Sequence, residues 1–186
     1  MVLAILFGLE ASLVTITEPT TMLTDYLLTL ACFGFAGSIR ARARLAGGRR
    51  VRVWSTAFVM TGVAALVGGT SHGFRVPLGE HWSAVWQATV AAIALGAVLL
   101  IGAGIRSAQY PETTRPKRRD EGLRWLRRAV IITLVAVVVV VSRWSLHAHF
   151  NHNDLYHVIQ LVGLYCLYRG VLELHELRGF ESEPRS

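Results

Sequence analysis

Five apolar runs of roughly twenty residues, separated by short polar stretches, constrain this 186-residue chain more than any other feature. They fall at about 20 to 39, 53 to 72, 83 to 105, 129 to 147 and 153 to 173. A helix needs about twenty apolar residues to cross the roughly 30 Å hydrocarbon layer, so each run has the length of a transmembrane span. The pattern predicts an all-α integral membrane bundle of five helices. Residues 1 to 174 form one transmembrane helical domain, and 175 to 186 a short tail. The first sixteen residues, Met1 to Ile16, are apolar but contain Glu10 and lack a basic leader and a small-residue cleavage pattern. They read as an interfacial helix or a sixth span.

The chain carries a formal charge of +7, which by itself would suit a nucleic-acid binder. The placement of the basic residues argues otherwise, and no nucleic-acid partner is expected. Arg40, Arg42, Arg44, Arg49, Arg50 and Arg52 lie between the first two runs; Arg106, Arg115, Lys117, Arg118, Arg119, Arg124, Arg127 and Arg128 lie between the third and fourth. Both stretches face the same side, and the positive-inside rule makes loops 40–52 and 106–128, with the C-terminal tail, cytoplasmic. The expected location is the plasma (inner) membrane. Tyr110 to Asp120 reads as a flexible loop, with the next helix starting at Glu121 and Trp125 at the interface. Cys32 and Cys166 lie inside apolar runs and read as small core residues.

At the opposite end the chain is unusually rich in ionisable groups. Glu18, Thr21, Asp25 and Thr29 recur at three and four residues and so share one helical stripe, which aims two carboxylates into the bundle. The structural alternative is that Glu18 caps the helix and Asp25 bonds a neighbouring hydroxyl. The second run ends in Ser71-His72, and Gly68, Ala65 and Thr61 precede His72 on its own face, so a neighbouring helix can approach closely. The third opens with His81, Trp82, Ser83, Trp86 and Gln87; the tryptophans read as an interfacial belt and Gln87 as a possible amide donor to the site.

Four of the seven histidines fall between Ser142 and Gln160. His147 and His149 read as lining a solvated outer loop. Asn153, His157 and Gln160 share a stripe, and Asp154, one turn before His157, is placed to accept its imidazole N–H. His152 is five residues from His157 and shares a metal with it only from the preceding loop. Arg143 either extends to the interface or neutralises Glu18 or Asp25. Ionisable groups at membrane depth are costly unless paired or metal-bound, so the cluster is a site hypothesis.

Thr17-Glu18-Pro19, Ser71-His72 and Tyr156-His157 stand in the order found in the membrane hydrolase superfamily of alkaline ceramidases and progestin and adipoQ receptors, which this chain resembles over short stretches of three helices. The resemblance implies a zinc-dependent hydrolase of a lipid amide or ester at the outer interface. His72 and His157 would be ligands, with His152, Asp154, Asp25 or Glu18 completing the sphere or acting as base, and Ser71 as oxyanion donor. Asn153, Gln160 and Arg143 would be supporting groups. The chain departs from that family in having five or six helices rather than seven, and in carrying Asn153 where the family has a second histidine. Two other functions fit the same residues. One is a b-type haem held by His72 and His157. The other is a non-enzymatic transport or scaffold subunit whose polar groups relay protons or hold helices together. Membrane lipids are the expected partners, and the exposed valine-rich and small-residue faces permit a homo-oligomer.

Overall fold

The computed structural model describes residues 15–46, 51–109, 116–147 and 149–175. Five long helices span these segments: α1 (Pro19–Ala46), α2 (Val51–Gly73), α3 (Trp82–Gln109), α4 (Pro116–Ser142) and α5 (His152–Leu174). All five are long and apolar enough to cross a membrane. A lipid-exposed backbone must satisfy its own hydrogen bonds, and helices do so within each segment. The protein is an all-α integral membrane bundle. The expected Met1–Ile16 segment and the tail lie outside the described residues, apart from Thr15, Ile16 and His175.

The principal contacts run α3–α2–α1–α5–α4, so the bundle is a row with α1 at its centre. Large aliphatic side chains of α3 and α4, including Val98, Ile101, Val138 and Val141, are exposed to the surroundings. In the valine run of α4, Val135, Val137, Val138 and Val141 are exposed, Val140 is half-buried and Val139 is buried.

With lipid as solvent, packing and interhelical hydrogen bonds replace the hydrophobic effect between helices. On α4 the buried Gly122, Ala129 and Ala136 recur every seven residues, the repeat that keeps one small-residue seam against a neighbour. Gly163 and Gly170 of α5 face that seam. A Cβ on Gly170 would stand 2.9 Å from Leu126 Cδ2 and 3.3 Å from the Gly122 carbonyl oxygen. Gly170→Leu is therefore expected to cost roughly 2–3 kcal/mol by overpacking, read as a lowered melting temperature in detergent. On the other side of the row, Gly62 lies against Phe33, Gly69 against Asp25 and Tyr26, and Gly73 against Met22. Phe35 of α1 stacks on Tyr168 of α5 at 4.7 Å, beside a 2.7 Å hydrogen bond between Ser38 Oγ and the Tyr168 hydroxyl. Cys32 and Cys166 are buried and free, as core residues should be.

Both boundaries of α4 differ from those read in the sequence, and α1 runs on to Ala46, past the expected end at about 39. α4 begins at Pro116, inside the stretch expected to be loop, because proline is well suited to the first turn, where its missing N–H costs nothing. It ends at Ser142 rather than near 147. Arg143 adopts φ 54°, and the 3.3 Å Arg143 N–Val140 O and 3.2 Å Trp144 N–Val139 O bonds close a left-handed helix stop. Arg143 is exposed, which fits the outward alternative, and among the described residues the ion-pair partners of Glu18 and Asp25 are His72 and His157 instead. Its backbone, not its charge, is what the fold uses. Arg143→Gly should raise stability by up to about 1 kcal/mol, since glycine adopts this conformation without the Cβ penalty.

Candidate functional site

Antiparallel threading brings the start of α1, the end of α2 and the start of α5 to the same end of the row. At this corner Thr17 N–H donates to the Gly73 carbonyl at 2.9 Å, tying α1 to α2. Asn151 caps α5. Its side chain accepts from Asn153 N and Asp154 N, while Asp154 Oδ2 accepts from Asn151 N at 2.7 Å, a complete capping box.

Asp154 is fully buried. Its second oxygen, Oδ1, accepts from the Thr21 hydroxyl at 2.7 Å, and Thr21 Oγ1 in turn accepts from the Asn151 amide at 3.4 Å. Both Asp154 oxygens are thus spent on structure. The expectation that Asp154 holds the His157 ring is corrected: as a capping-box residue it turns back towards its own helix start and α1, away from the imidazole.

His157 is held instead by Thr24, whose Oγ1 lies 2.9 Å from Nδ1. The same hydroxyl donates its one proton to the Thr21 carbonyl at 3.0 Å, so it must accept from His157, which places the ring proton on Nδ1. Nε2 of the neutral ring therefore carries a lone pair. It stands 3.3 Å from Asp25 Oδ1, the only polar contact of that buried carboxylate among the described residues. The distance exceeds the usual 2.7–3.2 Å of an N–H···O bond. Two lone-pair donors side by side repel unless a cation, either a proton or a metal ion, sits with them.

The other histidine repeats the arrangement. His72 Nδ1 is 3.1 Å from Glu18 Oε2, which accepts its N–H and leaves Nε2 bare. The ring packs edge-on to Trp86 at 5.7 Å, and His72 is near enough to act electrostatically on His157. Metal-ligating histidines commonly donate Nδ1–H to an outer acceptor while Nε2 binds, and both rings meet that condition.

Ser71, on α2 immediately before His72, is 1% exposed, and its hydroxyl oxygen has no hydrogen-bond partner among the described residues. Its carbonyl accepts from Trp82 Nε1 at 3.2 Å, so the belt tryptophan also fixes the end of α2. Gln160, one turn beyond His157, has a buried Oε1 that is likewise unpartnered. Gly68 keeps the approach open, since a Cβ there would lie 3.4 Å from Asp25 Oδ2 and 3.3 Å from the buried Thr89.

Other expected participants fall away. His152 is the first residue of α5, not part of the preceding loop, and makes no contact with the site among the described residues; helix geometry turns it from His157. The Asn153 side chain contributes no contact, only its backbone N–H to Asn151. Gln87 is exposed and bonds Ser83 at 3.4 Å. His147 and His149, expected in a loop and not in the site, lie exposed between α4 and α5 with ring centroids 5.4 Å apart.

The metal fits in part. Donors about 2.0–2.1 Å from one tetrahedral zinc stand roughly 3.3–3.4 Å apart, which matches the spacing of His157 Nε2 and Asp25 Oδ1. Among the described residues, however, no three His, Cys, Asp or Glu side chains are gathered as a finished metal site. A porphyrin iron on His157 Nε2 would require the Asp25 carboxylate, 3.3 Å away, to move aside.

The sequence matches a family of unknown function (DUF6962) over residues 20–117 and 112–176, and the chain belongs to that family. No curated protein and no solved structure matches it.

Proposed function

We propose that this integral membrane protein is a zinc-dependent hydrolase of a lipid amide or ester. The observation that carries the reading is the bare Nε2 of His157 beside Asp25 Oδ1 at 3.3 Å, a pair that calls for a shared cation. His157 and Asp25 are the first two ligands. His72 is the third by its chemistry, since Glu18 engages its Nδ1. Bound zinc supplies Lewis acidity and an activated water. Thr24 orients His157, Glu18 orients His72, and the orphaned Ser71 hydroxyl is the donor available to a developing oxyanion. The resemblance to the ceramidase and adipoQ-receptor superfamily supports the same assignment, with Asp25 serving in place of the histidine absent at Asn153.

In this reading the basic ends of the helices face the cytoplasm and the site opens at the outer headgroup level, where the scissile bond of a lipid lies. Ser145→Cys, in the exposed outer loop, is then labelled by a membrane-impermeant maleimide added to intact cells; labelling only after permeabilisation reverses the orientation.

Purified protein in micelles is expected to cleave a fluorescent fatty amide or ester. Chelation should abolish cleavage and zinc should restore it. Cleavage that survives chelation and His157→Ala would refute the zinc mechanism. A zinc-loaded protein inert towards both lipid classes would refute the hydrolase.

The lack of a finished three-donor site among the described residues favours one alternative, in which Asp25 and His157 share a proton within a transport subunit. Metal-free protein that retains the Asp25–His157 contact is the outcome that selects it.

A further inference from the structure

At the other end of the row, two arginines converge on one tryptophan without a carboxylate bonded to either. Arg128 of α4 places its guanidinium carbon 4.8 Å from the centre of the Trp125 ring, and Arg169 of α5 places its own at 5.0 Å. Arg169 also lies over Tyr165 at 5.8 Å and donates from Nη1 to the Tyr165 hydroxyl at 2.9 Å. Trp125 and Tyr165 meet edge to face at 6.4 Å, so the aromatic pair is a fixed platform. The Nε of Arg169 is buried and has no hydrogen-bond partner among the described residues. Neither arginine forms an ion pair among the described residues. Glu173, one turn beyond Arg169, is within its electrostatic reach but is engaged by Arg118 at 3.9 Å.

The depth of Arg169 makes this costly. It lies five residues before the end of α5, about 7–8 Å inside it along the helix, where an unpaired cation is penalised. Cation–π contact with Trp125 recovers part of that cost for both arginines, but leaves them without an anionic partner bonded to either guanidinium among the described residues. An anion that reaches this depth beside lipid-facing helices satisfies both. Arginine forks match phosphate oxygens two at a time, and basic pockets between transmembrane helices hold lipid headgroups in this manner.

We propose that Arg128, Trp125, Tyr165 and Arg169 form a binding site for the phosphate of an anionic phospholipid, at the end of the bundle opposite the candidate catalytic site. A zwitterionic headgroup carries its own cation into a region already crowded with Arg124 and Arg127, so the site discriminates by charge. The inference is independent of the hydrolase reading.

The test is lipid selection by the full chain in nanodiscs of phosphatidylcholine with a minor share of phosphatidylglycerol, read as co-purifying lipid after detergent exchange. Wild type should enrich phosphatidylglycerol about fivefold or more over the bulk mixture. Arg169→Gln and Arg128→Gln should each bring the ratio close to bulk, and Arg127→Gln, whose side chain is exposed outside the platform, should not. Arg128 is exposed, so its variant folds even if Arg169→Gln does not. Unchanged enrichment in Arg128→Gln overturns the proposal. So does displacement of the lipid by inorganic phosphate alone, which would make a free phosphate the ligand.

Discussion

Asp25→Ala and His157→Ala should each weaken zinc binding at least about a hundredfold, measured by competition with a chromophoric chelator. The bound cation sits between these two side chains in this account, and removing either leaves an incomplete sphere. Outer partners that only orient a ligand typically contribute 10- to 100-fold in affinity, so a ligand itself should exceed that range. Thr24→Val tests the distinction. It keeps His157 and its volume but removes the 2.9 Å contact that fixes the proton on Nδ1, and should cost roughly tenfold. His152→Ala should change nothing, because the α5 start turns that ring away from the site. Equal losses in all four variants would point to general unfolding and not to a metal centre.

Asp154→Ala should destabilise the protein by roughly 3 kcal/mol, whereas Asp25→Asn should leave stability unchanged or slightly raised. Both residues are buried acids on the same corner, but their accounts differ. Asp154 closes the capping box of α5 and accepts the Thr21 hydroxyl, so its removal costs a cap, about 1 kcal/mol, and leaves a buried donor unpaired at about 1–3 kcal/mol. Among the described residues the Asp25 carboxylate has one polar contact, to His157, and a buried acid kept with so little support is a functional liability that stability alone would remove. Thermal unfolding in detergent separates the two. A large loss in Asp25→Asn with none in Asp154→Ala would exchange their roles.

The membrane fold was legible because a span leaves a signal of length and composition that needs no knowledge of neighbours. The order of helices in the row was not, since lipid and protein faces are equally apolar. The stripe Glu18, Thr21, Asp25 came directly from helical periodicity, and the placement of His72 and His157 at one depth followed from where the runs end. Assigning Asp154 to His157 failed because adjacency along a helix does not say which way a capping residue turns. The Asn151–Asp154 spacing is a readable capping-box signature and would have reassigned it. Thr24 was missed because a threonine in an apolar run carries no signal of its own; being one turn after Thr21, it was available as the partner of a histidine from another helix. The start of α4 at Pro116 was hidden by the charges around it, which suggest loop but suit the interfacial first turns of a helix equally well.

The most direct test of the central claim is the metal content of protein purified without chelators, with a zinc titration of any metal-free fraction. The account predicts about one zinc per chain, or uptake to that level with His157 and Asp25 intact. Protein that is metal-free and takes up no zinc would contradict it and leave Asp25 and His157 as a proton-sharing pair.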